Sequence, residues 1–249
     1  QRDYDGTPMA TDLMAEEDLI AFAGVLGKAR KGFIQIAGGR ATPELVNKLA
    51  EVSGRPIVFN ALAALTDQHG IALPGYLETK EWIDDANKRG NRVFAQAITT
   101  AIAFEFQLEE WSLFDNVRSW REALNGTREE KIAKLNDPEV RAVLKAEYDA
   151  GKGPVTGAGT EDKGIISGSG IAELTVEIVL DKSLQQFEGF TIREIAEREN
   201  KHIIDAFLDI GTADELRSTF GSPPAAMDMK AMKEITNSDF ALPGLSDGG

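Results

Sequence analysis

Short apolar runs alternate with amphipathic helical segments through the first hundred residues, and this alternation restricts the fold more than any other feature of the chain. Residues 15–30 set Leu19, Phe22, Ala23 and Leu26 at helical spacing, with acids first and bases last, as the helix dipole favours. Phe33–Ala37 reads as a strand. Thr42 caps a new helix, Pro43 fills its first turn, and Ser53-Gly54 stops it. Pro56–Leu62 is a second strand, and a loop with His69-Gly70 and Pro74-Gly75 leads to a helix near 77–89. Gly90 closes that helix, and Arg92–Ile98 is a third strand. These strands are apolar throughout instead of alternating, the pattern of strands covered on both faces. Strand–helix–strand order of this kind predicts an α/β fold with parallel strands and right-handed crossovers.

Residues 99–150 depart from the repeat and read as a helical insertion carrying Trp111, Phe114, Trp120 and Leu124. Thr127 to Glu130 matches a capping box, and Asp137-Pro138 opens a helix to about Tyr148. Residues 151–170 hold seven glycines without periodicity and read as a loop. The repeat is then expected to resume, with a strand from Ala172 to Leu180, helices over 191–199 and 203–210, a break at Pro223-Pro224, a helix over 228–236 and a last strand from Phe240. The expected organisation is one domain over 1–249, with the insertion at 99–150 and the glycine-rich loop at 151–170. The first residue is Gln1 and the chain stops directly after an apolar run, so a fragment or a processed piece is expected.

Composition excludes several kinds of function. Asp and Glu number 41 against 27 Lys and Arg, a net charge of −14, which lacks the basic footprint of a phosphate-backbone binder; no nucleic-acid partner is expected. Cysteine is absent, which removes disulfides, thiolate catalysis and Cys-ligated metal, and fits a cytoplasmic location. Only His69 and His202 are present, and neither belongs to an HxH or HExxH motif; each reads as a cap or surface residue. No apolar run reaches the length of a membrane span, so no membrane partner is expected.

Three strands carry one amide each at a similar place: Gln35, Asn60 and Gln96. Parallel α/β folds bind ligands at the carboxyl ends of their strands, so the amides either line a pocket mouth or satisfy loop backbone and one another. Ser246-Asp247-Gly248-Gly249 is a turn by composition, yet its position after an apolar run puts Asp247 at a strand end, where a carboxylate serves as metal ligand or base. The aromatic residues of 104–120 read as core or as an interface.

Over nearly its whole length the chain resembles the N-acyl-D-amino-acid deacylase (D-aminoacylase-like) branch of the amidohydrolase superfamily. The resemblance rests on Tyr4–Pro8, Gly54–Phe59, Asp137–Arg141, Phe187–Ala196 and Asp205–Asp209, and most specifically on the Pro-Gly-Leu-Ser-Asp-Gly-Gly of 243–249. It implies a (β/α)8 TIM-type barrel, of which this chain is the C-terminal half, strands five to eight. It implies hydrolysis of the amide of an N-acyl amino acid, or a similar small amide, by zinc-activated water. Asp247 is then the acid/base or metal group, and Gln35, Asn60 and Gln96 bind substrate. It also implies a partner that closes the barrel, either its remainder or a second copy. One departure is plain: the His ligands carried by the family's strands five and six are missing from Phe33–Ala37 and Phe59–Leu62. That leaves a second expectation, a remodelled relative that binds a small ligand without metal, and a third, an assembly subunit whose interface is the aromatic stretch.

Overall fold

A computed structural model describes residues 10–37, 41–66, 75–101, 103–110, 117–151, 170–224 and 226–245. In chain order the elements are α1 (Ala10–Leu13), α2 (Glu16–Ala29), β1 (Ile34–Ala37), α3 (Pro43–Ser53), β2 (Ile57–Leu62), α4 (Gly75–Lys88), β3 (Val93–Ile98), β4 (Glu105–Phe106), α5 (Arg118–Ala123), α6 (Arg128–Asn136), α7 (Pro138–Asp149), β5 (Thr175–Ile178), α8 (Ile192–Glu199), α9 (Ile203–Ala213), β6 (Thr219–Gly221), α10 (Met229–Thr236) and β7 (Ala241–Leu245). They fall into two compact units. One comprises 10–102 with 225–249, the other 103–224.

The first unit is a parallel sheet in the order β1-β2-β3-β7. Ile34 pairs with Ile57, Ile57 with Val93, and Ala95 with Ala241, all in parallel register. The expected strands near 33–37, 56–61 and 92–98 are therefore neighbours in one sheet, and the chain after Phe240 adds a fourth. Four parallel strands with interleaved helices establish the α/β class; the described strands do not form a closed barrel.

Local sequence explains the helices. Thr42 Oγ1 accepts from Leu45 N–H at 3.3 Å, Pro43 starts α3 without wasting an N–H, and Gly54 ends it at φ 58°. Leu45, Val46, Leu49 and Ala50 of α3, Ile83 and Ala86 of α4, and Ala231, Met232 and Ile235 of α10 form one buried cluster with Ile57, Val93, Ala95 and Ala97. α2 packs on α3 through Gly27, where a Cβ would stand 2.8 Å from the Ser53 carbonyl oxygen. Any larger residue there forces the helices apart.

The second unit answers the expectation for 99–150 differently. It extends to residue 224, past the expected helical insertion, because β4, β6 and β5 pair across the chain into an antiparallel sheet of their own. The strand expected over Ala172–Leu180 is a correction: only Thr175–Ile178 is extended, and it runs antiparallel to β6 instead of rejoining the parallel repeat. The core holds Leu108, Trp120, Leu135, Leu144, Leu174, Phe207 and Phe220. Trp120 and Phe207 lie 6.3 Å apart between ring centroids, and Phe207 meets Phe220 edge-on at 4.7 Å. Trp120 is fully buried, so it belongs to the core and not to a docking surface. Both Thr127–Glu130 and Thr191–Glu194 are complete capping boxes. Trp111, Phe114, His69, Asp247 and the glycine-rich loop after Gly151 lie outside the described residues.

Candidate functional site: an uncharged amide face

Side chains of a strand point alternately to opposite faces, and residues in parallel register share a face. Ile34, Ile36, Ile57, Phe59, Val93, Ala95 and Ala97 take the helix-packed face. The opposite face holds Gln35 and Ala37 of β1, Val58 and Asn60 of β2, Phe94 and Gln96 of β3, and Leu242 of β7. The three amides expected from sequence are thus on one face, and the helices of the buried cluster pack against the other.

Their layers differ. Ala37, Asn60, Gln96 and Leu242 form one register row, towards the carboxyl ends of the strands. Gln35 pairs with Val58, and Val58 with Phe94, so Gln35 stands one row nearer the amino ends. Its side chain nevertheless reaches over β2, and Nε2 donates to Gln96 Oε1 at 2.9 Å. Gln35 is exposed, and Asn60 and Gln96 are half-buried. Asn60 Oδ1 is buried with no hydrogen-bond partner among the described residues. A buried acceptor left in that state costs about 1–3 kcal/mol, which a ligand N–H or an ordered water would recover.

No ionisable residue occurs anywhere in β1, β2, β3 or β7. This bears directly on zinc. A catalytic zinc takes about three protein ligands drawn from His, Cys and carboxylates. Among the described residues no group of three or more His, Cys, Asp or Glu is placed to hold a metal ion. Neutral amides do not substitute for such a set, so the described part of the face does not fit the zinc expectation. Asp247, the one expected ligand in this chain, follows β7 outside the described residues.

Sequence reading missed Phe94 and Leu242 as parts of this face. The signal was present as parity, since Phe94 lies two residues before Gln96 on the same strand. His202 is the cap expected of it: Nδ1 accepts from Ile204 N–H at 3.1 Å, which leaves Nε2 as the N–H that meets Asp149 Oδ1 at 3.1 Å. It lies in the second unit and takes no part in the amide face. Among the described residues no helix is long and apolar enough to cross a membrane.

No protein-family model and no curated protein matches the chain. Among solved structures it is similar to an N-acyl-D-glutamate deacylase from Bordetella bronchiseptica, solved with zinc and a phosphonate inhibitor. The identity is 12%, the TM-score 0.46, and the match covers 95% of this chain and 36% of that one. The chain spans about a third of the length of that protein.

Proposed function

We propose that this chain is the C-terminal half of a (β/α)8-barrel hydrolase that cleaves the amide bond of N-acyl amino acids or similar small amides. The sheet face with Gln35, Asn60 and Gln96 holds the substrate, and Asp247 moves the proton. The observation that carries this reading is the gathering of three amides from three strands on one face, with one buried acceptor unpartnered. Parallel α/β enzymes bind small molecules where strand ends from separate segments converge. The Ser-Asp-Gly-Gly segment directly after β7 adds a carboxylate in sequence next to that row.

In this reading Asp247 takes a proton from water as its oxygen attacks the acyl carbon. The resulting tetrahedral intermediate collapses as the same carboxyl returns the proton to the leaving nitrogen. A carboxylic acid and an amine are the products. No step is assigned to zinc, because the described residues do not supply its ligands. A cytoplasmic location belongs to the same proposal, as does closure of the sheet by the remainder of a barrel or by a second copy.

The test is amine release from a panel of N-acyl D- and L-amino acids by the full protein. Asp247→Asn should keep the fold and lower kcat about 10²-fold or more, the scale of a lost general acid/base. Gln96→Ala should mainly raise KM. Unchanged kcat in a folded Asp247→Asn protein removes Asp247 from the reaction. A second reading, ligand binding without hydrolysis, is favoured by the uncharged strands. It predicts saturable binding of the same compounds with no amine released.

A further inference from the structure

The hydrogen bond between Gln35 and Gln96 decides which end of the Gln96 amide faces a ligand. Gln35 Nε2 donates to Gln96 Oε1 at 2.9 Å, so the acceptor end of Gln96 is already engaged. What Gln96 has left to offer is Nε2, a donor with two hydrogens. Asn60, its register partner on the adjacent strand, offers the opposite: a buried Oδ1 acceptor with no partner among the described residues. Neighbouring parallel strands lie about 4.8 Å apart. A donor and an acceptor set side by side on neighbouring strands suit the C=O and N–H on one edge of a primary amide, which point the same way, and not those of a secondary amide, which point apart. The rest of the row, Ala37 and Leu242, is apolar, and no charged side chain occurs on these strands.

We infer that Asn60 Oδ1 and Gln96 Nε2 together read one edge of a primary amide of the ligand without metal, and that Gln35 is a positioning residue that fixes the orientation of Gln96. This deepens the proposed function and rests on its reading of the face as the substrate site. The zinc expectation and the strand chemistry disagree: on these strands a ligand is held by neutral donors and acceptors and not by a metal. Neutral recognition also makes binding insensitive to salt, since no ion pair is screened.

The test uses N-acetylglycinamide as probe, titrated into the full protein by ligand-observed NMR. The expected results are saturable binding, unchanged by EDTA and by added zinc, and at least tenfold weaker binding of N-acetylglycine methyl ester, which keeps the acetamide but lacks the primary amide N–H. Asn60→Ala should weaken the probe about tenfold, the scale of one hydrogen bond to a buried acceptor. Gln35→Glu separates positioning from mere packing. Glutamate accepts where Gln35 donates, so Gln96 turns its Nε2 inward and the probe weakens as much as in Asn60→Ala. Gln35→Lys keeps a donor to Gln96 Oε1 and should recover most of the binding that Gln35→Glu loses. Circular dichroism and melting curves serve as folding controls, and Gln35, being exposed, tolerates both changes.

Absence of probe binding to the unchanged protein overturns the inference. So does binding lost in EDTA and restored by zinc, or binding indifferent to both Asn60→Ala and Gln35→Glu. Failure of the hydrolase reading is distinct. In that case no N-acyl amino acid is cleaved, yet the probe still binds and still depends on Asn60 and Gln35.

Discussion

Asp214 in the second unit and Asn60 in the first are both polar side chains with buried oxygens, and they are treated in opposite ways. The Asp214 carboxylate is almost fully buried. Its oxygens accept from Asp181 N–H at 2.7 Å, from Leu180 N–H at 3.0 Å and from the Ser218 hydroxyl at 2.9 Å. Asn60 Oδ1 accepts from nothing among the described residues. A fully satisfied buried charge ties strand ends to helix ends and is structure. In the proposed reading, a buried acceptor left open on a sheet face is where a ligand binds. The difference separates a polar group that the fold uses from one that the fold keeps available.

The comparison sharpens first through Trp120, at the centre of the core that Asp214 borders. Trp120→Ala empties a fully buried site against Phe207 and should cost about 3–5 kcal/mol, read as a large fall in urea midpoint. A shift below about 1 kcal/mol would mean that the site is not packed as described and would reopen Trp120 as an interface residue.

Asp214→Ala comes next. It strands two backbone N–H groups and a serine hydroxyl, each at about 1–3 kcal/mol, so a loss of about 3 kcal/mol or more is expected by urea melt. Asn60→Leu is the counterpart on the amide face. It removes an acceptor that has no partner in the fold, and such exchanges are nearly neutral or stabilising. The expected change runs from neutral to a gain of about 1–3 kcal/mol, the cost of the unpartnered acceptor. A loss from Asn60→Leu as large as that from Asp214→Ala breaks the comparison, for it would make the Asn60 amide structural.

The strands and longer helices of the first unit were legible because each apolar run is long enough to stand out and some helices carry their own start or stop; α1 was not legible, and α2 opens at Ala15 without a side-chain cap. Thr42-Pro43, Gly54 and Gly90 mark their ends by local chemistry alone. The antiparallel sheet was not legible. β4 has two residues and β6 three, too short for a period, and Phe106 finds Phe220 from more than a hundred residues away. The amides were legible as a set, since each is the one polar residue in an apolar strand. Their arrangement was not, because register decides that Asn60 and Gln96 share a row while Gln35 stands one row lower. Asp214 gave no signal: in Ala213-Asp214-Glu215 it reads as a helix end, and only tertiary contacts make it a buried anchor.

The smallest effect concerns charge, where the second unit has what the amide face lacks. Arg141 bonds Asp209 at 2.6 Å and Asp205 at 3.4 Å, Lys145 bonds Asp205 at 3.0 Å, and Lys201 bonds Asp209 at 2.8 Å. Burial pushes the Asp209 carboxyl upward, but the hydrogen bonds from Lys201 and Arg141 outweigh it and hold it below the ordinary aspartate value. The hydrogen bond to Asp209 holds the Lys201 ammonium above its ordinary value. A depressed carboxyl stabilises the fold above its unfolded pKa of about 3.9, and that stability is lost as pH falls through the lower folded value. A raised ammonium stabilises below about pH 10.4, and its contribution is lost as pH rises through the higher folded value. The pair therefore contributes across the whole neutral range. Both groups are more than a third exposed, so solvent screening keeps the contribution to about 0.2–1 kcal/mol. Asp209→Asn should lower the melting temperature slightly at pH 7, and the difference from the unchanged protein should shrink below pH 4. Probe binding to the amide face should stay flat between pH 5 and 9 in both proteins, because no strand side chain there titrates. A bell-shaped binding profile over that range would place an ionising group at the face and reverse the contrast between the two units.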